Sequence, residues 1–126
     1  AIGEAVHITS DETVTWNQVF TAIAGALGKP LKAVYVSSEF LHLCGKSFDF
    51  LGSLIGDKAN SVVFDNAKLK RLVPGFTAAI RFDQGMRRAV KYILEHPECQ
   101  KEDPEFDAWC DKVIAAREKA IKEVTG

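Results

Sequence analysis

From Asp103 onward the sequence reads as one long helix with a single apolar side. Asp103 is of the residue type that caps a helix N-terminus, and Pro104 occupies the first helical position, where a missing N–H costs nothing. Phe106, Trp109, Cys110, Val113, Ile114, Ala120, Ile121 and Val124 then recur on one stripe. A helix of this kind must bury its stripe against other elements, so the preceding hundred or so residues have to supply a facing surface. They have the means to do so. A chain of 126 residues that is 47% hydrophobic and 26% charged can bury roughly two-thirds of its unfolded surface without disulfides or metal, and this excludes a disordered chain.

The N-terminal part predicts a β-α-β opening. Residues 4–10 read as a short strand through Ala5, Val6, His7 and Ile8, followed by the turn-forming Ser10-Asp11-Glu12. Thr15 and Gln18 have capping-box spacing, and Val14 with Val19 has that of a hydrophobic staple. Val19, Phe20, Ile23, Ala24 and Leu27 follow at helical period until Gly28 and Pro30 end the element. Residues 31–36 predict a second strand. Ser37 or Ser38 caps a helix running through Leu41 and Leu43 to Gly45, and residues 47–56 a second helical piece. A very short strand follows at Val62–Phe64, then a helix capped by Asp65 and closed by Pro74-Gly75. An extended piece over 77–82 leads to a helix capped by Asp83, carrying Met86, Ala89, Val90, Ile93 and Leu94 on one face and ending before Pro97. No repeat, linker or low-complexity tract divides the chain, which reads as one domain over residues 1–126. The expected class is a small mixed α/β lobe, rich in helix with a few short strands.

The net charge of −1 conceals a segregation: residues 66–91 carry seven basic groups against one acidic. Such a block can attract an anionic ligand. Nucleic acid is not expected as a partner, because no aromatics interleave with these cations and the chain overall is slightly acidic. No apolar run approaches the ~18 residues of a membrane span, and the N-terminus lacks a secretory signal, so a cytoplasmic protein is expected. Cys44, Cys99 and Cys110 are odd in number and read as free thiols. His96, Cys99 and Cys110 lack a convincing fourth ligand for zinc. The chain begins Ala1-Ile2-Gly3 and its only methionine is Met86, so it reads as a piece of a longer protein.

Recognisable catalytic and cofactor motifs are missing. No glycine-rich turn joins a strand to a helix, as a dinucleotide site requires. Gly25-Ala26-Leu27-Gly28 lies at a helix end and is a C-cap. Tyr35 and Tyr92 are followed four residues later by Glu39 and His96, so neither precedes a lysine by one helical turn. His7 reads as a strand residue, and Trp16 and Trp109 as packing anchors.

The order of the segments nevertheless resembles the C-terminal part of extended short-chain dehydrogenases/reductases, the NAD-dependent epimerase/dehydratase family. Val6–Ser10 leading into Trp16-Asn17-Gln18-Val19 is similar to the family's last sheet strand entering a helix of the substrate domain. Gly56-Asp57, Asp65-Asn66-Ala67-Lys68 and Leu72-Val73-Pro74-Gly75-Phe76 are similar to its later Gly-Asp, Asp-x-x-Lys and Leu-Gly-x-x-Pro region. The resemblance covers nearly the whole chain. It implies a substrate-binding lobe of a nucleotide-sugar epimerase, dehydratase or reductase, with no cofactor bound by this stretch itself. NAD or NADP, and the catalytic Tyr-x-x-x-Lys, belong to the family's N-terminal Rossmann part, which would be this lobe's partner. Where many members place an arginine before the Gly-Asp pair, this chain has Leu54 and Ile55. Lys58 and Arg81 are therefore the expected contacts for an anionic group of the substrate. Two other readings stand beside this one: a non-enzymatic NmrA-like regulatory or interaction module, and a small protein that dimerises through its long C-terminal helix. The lobe alone is expected to self-associate.

Overall fold

Helices form where a side chain can reach the backbone ahead of it. In the computed structural model, which describes residues 2–126, α1 spans Trp16–Ala26. The Gln18 N–H donates to Thr15 Oγ1 at 3.3 Å, and the Thr15 N–H donates to Gln18 Oε1 at 2.7 Å. Two orphan amides are thereby satisfied reciprocally. The helix stops at Gly28, whose φ of +64° suits only a residue without a Cβ. Next, α2 spans Ser38–Cys44 and is capped by Ser37, whose hydroxyl accepts from the Phe40 N–H at 3.2 Å. A π-helix covers Leu51–Lys58. Then come α3, Ala67–Leu72, and α4, Phe82–Glu95. The last helix, α5, spans Pro104–Thr125 and starts where Asp103 accepts from the Phe106 N–H at 3.0 Å. No helix among the described residues is long and apolar enough to cross a membrane.

The helix expected to be capped by Asp83 has its N-cap two residues earlier, at Arg81, and its first amide is held from elsewhere. The Phe82 N–H donates to the Glu12 carboxylate at 2.8 Å, across 70 residues of sequence, and Gln84 Oε1 accepts from the Arg81 N–H at 3.3 Å. Asp83 lies within the first turn and faces Arg81 and Arg87 instead.

Among the described residues there is no hydrogen-bonded strand. The stretches predicted as strands at 4–10, 31–36 and 62–64 carry no regular secondary structure, and none of their backbone amides or carbonyls is paired with another backbone group. A strand is defined by its neighbour as much as by its own residues, and here the ladder has no second side.

The chain divides into two compact units. The first holds residues 1–31 and 62–99, the second residues 32–61 and 100–126. In the first unit α1 packs against α4, with Leu69 and Val90 buried. Extended residues 4–8 and 61–64 lie side by side and run in the same direction. His7 meets Phe64 edge-on with ring centroids 5.0 Å apart, and Asn66 bonds Thr9 two residues further along each. In the second unit an aromatic cluster forms the core. The Trp109 ring lies 5.0 Å from Phe48, 5.3 Å from Phe50 and 5.8 Å from Phe106, beside buried Gly45 and Val113.

Little else is buried. The chain exposes 10158 Å², against about 6,700 Å² for one folded body of this mass and about 8,000 Å² for two separate ones. The excess is about 2,000 Å² even on the second reckoning, and many large apolar side chains are exposed. Ile8, Val62, Val63, Phe64 and Tyr35 all stand in solvent.

Candidate functional site

The first unit carries a hollow of about 480 Å³, lined by the residues that follow segment 4–8 and by segment 62–64 with the two residues after it. One wall is Thr9–Val14, which follows residues 4–8; the other is Val62–Asn66. Asn66 joins them. Its Nδ2 donates to the Thr9 carbonyl at 3.0 Å and to Asp11 Oδ1 at 2.9 Å. Lys70, one turn further along α3, donates to both Asp11 oxygens at 2.7 and 2.8 Å. The Lys70 ammonium, and after it the Asn66 amide, hold the Asp11 carboxyl below its ordinary range. Asp65 is occupied as well, accepting from the Ala67 N–H at 2.8 Å, but the N-cap of α3 is Asn66 rather than the expected Asp65. With Thr9, Ser10 and Thr13 supplying hydroxyls and Asp11, Glu12 and Asp65 supplying carboxylates, the hollow can both donate to and accept from a ligand rich in hydroxyl groups.

Arg81 stands beside this hollow through Glu12, which lines it and also holds the first amide of α4. The guanidinium is already engaged. Its Nε and one terminal nitrogen reach Asp83 at 3.0 and 3.1 Å, and Arg87 approaches the same carboxylate at 2.8 Å. Arg81 first, with Arg87 behind it, depresses the Asp83 carboxyl to about 2. Asp83 in turn raises Arg81 above its usual value. Lys58 belongs to the other unit, at the end of the π-helix. Its Nζ lies 2.9 Å from Asp57 Oδ2 and 3.5 Å from the Ser53 carbonyl. Each of the two predicted anion contacts therefore has a carboxylate partner of its own.

The rest of the basic block is also largely compensated. Lys68 pairs with Glu4 at 2.7 Å and Lys91 with Glu95 at 3.7 Å. These ion pairs are exposed and individually contribute little to stability, but they reduce the positive field that the charge count suggested. Sequence reasoning missed Glu12 as a helix cap and Asn66 as a clamp. No local signal could have found them, since each acts across more than fifty residues. The three cysteines are unbridged: Cys44 and Cys99 are exposed, and Cys110 sits half-buried on α5. Comparison of the chain with known protein families, with characterised proteins and with solved structures gives no match.

Proposed function

We propose that this chain is the substrate-binding part of an NAD(P)-dependent enzyme of the extended short-chain dehydrogenase/reductase type, and that its hollow receives a sugar-like group of a nucleotide-sugar substrate. One observation carries the reading. Two segments run side by side without a ladder, and a hollow bearing hydroxyls and carboxylates lies past the carboxyl end of the first and along the second to the two residues that follow it. In open α/β sheets the carboxyl ends of the strands are where ligands bind. The unpaired edges and the excess apolar surface are what a lobe would show when separated from the sheet that completes it. The segment order that resembles the family supplies the identity of that partner, a Rossmann part carrying the cofactor and the tyrosine-lysine dyad. Within the hollow, Ser10 and Thr13 are the hydroxyls offered to the sugar, and Arg81 is the neighbouring cation for an anionic group.

The test is kinetic, on the protein encoded by the complete reading frame. With NAD or NADP and a nucleoside-diphosphate hexose, Ser10→Ala and Thr13→Val are expected to raise KM several-fold, with kcat less affected. Arg81→Ala is expected to raise KM roughly tenfold, as loss of a charge-assisted contact does. A reading frame without a glycine-rich turn and a Tyr-x-x-x-Lys upstream would refute the proposal. So would Michaelis constants within twofold of the parent in all three variants.

A further inference from the structure

Between the C-terminal half of α5 and the start of α2, the second unit has a groove of about 540 Å³. This lies within the range of about 300–1,000 Å³ typical of small-molecule sites. Tyr35 and Phe40 form one wall; Ala120, Ile121 and Val124 form the other. Among these apolar groups stands one charge, Arg117.

Arg117 is out of place by its position. The residues three and four away along the helix, on both sides, are Val113, Ile114, Ala120 and Ile121, so no carboxylate stands at the spacings that share its face of α5. The side chain is half-buried. Among the described residues it has neither an ion pair nor a hydrogen bond. The two aliphatic hydroxyls on the groove are turned to the backbone, which leaves the Tyr35 phenol beside Arg117. The Ser37 hydroxyl accepts from the Phe40 N–H, and the Thr125 hydroxyl donates to the Ile121 carbonyl at 2.8 Å. An arginine whose stem lies among apolar groups and whose head has no carboxylate partner is open to an anion. The complement of this surface is thus a single anionic head joined to an apolar body.

We propose that the groove between α2 and α5 binds a medium-chain monocarboxylate, its carboxylate on Arg117 and its alkyl chain along Ala120, Ile121 and Phe40. The proposal does not rest on the function proposed above, because all of its residues belong to the other unit. Its failure would leave the polar hollow untouched, and failure of the hollow would leave the groove.

The probe is decanoate, titrated by calorimetry and by amide NMR below the concentration at which it forms micelles. Saturable one-to-one binding is expected, with the shifts centred on Tyr35, Phe40 and Ala120. Arg117→Gln should weaken binding roughly tenfold or more, and decanol should bind the parent at least tenfold more weakly than decanoate. Ala120→Trp, at an exposed helical position, should fill the groove and abolish binding while circular dichroism shows the helices intact. The proposal is overturned if the folded parent shows no saturable binding, or if decanol equals decanoate. Undiminished affinity in Arg117→Gln or in Ala120→Trp would overturn it too. So would sedimentation showing a dimer that decanoate cannot dissociate and that Ile121→Glu breaks, because the occupant would then be a second copy of the chain.

Discussion

Gly45 is the most demanding position of the second unit, and Gly45→Ala measures how tightly its aromatic cluster is packed. The glycine ends α2 with φ −106° and ψ 57°, a conformation open to other residues, so the backbone itself does not object. The neighbours do. A Cβ at this position would stand 2.5 Å from the Phe50 ring and 2.8 Å from the Trp109 ring. Neither ring can withdraw easily, because Phe48 lies 5.4 Å from Phe50 and 5.0 Å from Trp109. Overpacking of this kind costs about 1–3 kcal/mol. In a body this small, each kcal/mol lowers the thermal midpoint by roughly 4–8 °C. The assay uses the distribution of the two tryptophans: Trp16 belongs to the first unit and Trp109 to the second, so in a Trp16→Phe background the fluorescence reports the second unit alone. The control is Gly25→Ala in the last turn of α1, where an added methyl meets nothing within 4 Å and should not lower stability. That control is read through Trp16 in a Trp109→Phe background. An unchanged Trp109 midpoint in Gly45→Ala would show that the rings are loosely held and would refute the packing argument.

Other outcomes are as specific. Asp83 should titrate near 2 by carboxyl NMR. Because its folded value lies below the ordinary 3.8, its contribution to stability is complete above that pH and is lost as the pH falls towards 2; a midpoint near 4 would mean that the Arg81 contact is not kept in solution. Glu12→Ala should weaken the first unit by about 0.5–2 kcal/mol through loss of the α4 cap, seen as a lower midpoint by Trp16 fluorescence, and no change would place the cap elsewhere. Cys110 should be the last of the three thiols to react with iodoacetamide, since desolvation first and then Asp107 and Asp111 raise its pKa. Peptide mass spectrometry showing Cys110 alkylated as fast as Cys44 would contradict its burial.

How much of this was legible depended on distance along the chain. Thr15 with Gln18, Ser37 with Phe40 and Asp103 with Phe106 are three residues apart, so the helices they start can be read from neighbouring letters. The ion pairs of the two candidate anion contacts were local too: Asp57 adjoins Lys58 and Asp83 lies two residues beyond Arg81. The isolation of Arg117 could likewise be read from its four helical neighbours. Glu12 on Phe82 and Asn66 on Thr9 could not, because nothing in either segment names the other. The strand expectation met the same limit. Leu-Lys-Ala-Val-Tyr-Val has the alternation and β-branching of a strand, yet the hydrogen bonds that make a strand belong to a second segment. Near Leu51–Lys58 the helical signal was present, while the wider π turn was not, since periodicity reports apolar faces rather than hydrogen-bond register.

A chain that leaves so much of itself in water has comparatively little left to hydrate when it melts. Ordinary folding of 126 residues would give a heat-capacity increment of about 1.5–1.9 kcal/mol/K, and with Leu69, Val90 and Val113 the only buried apolar side chains among the described residues the increment here should fall well below that. Its stability should then vary little with temperature, its denaturant transitions should be shallow, and its thermal transition should be broad. Whatever covers the exposed apolar face would reverse all three together, and the covering step itself would carry a large negative heat-capacity change.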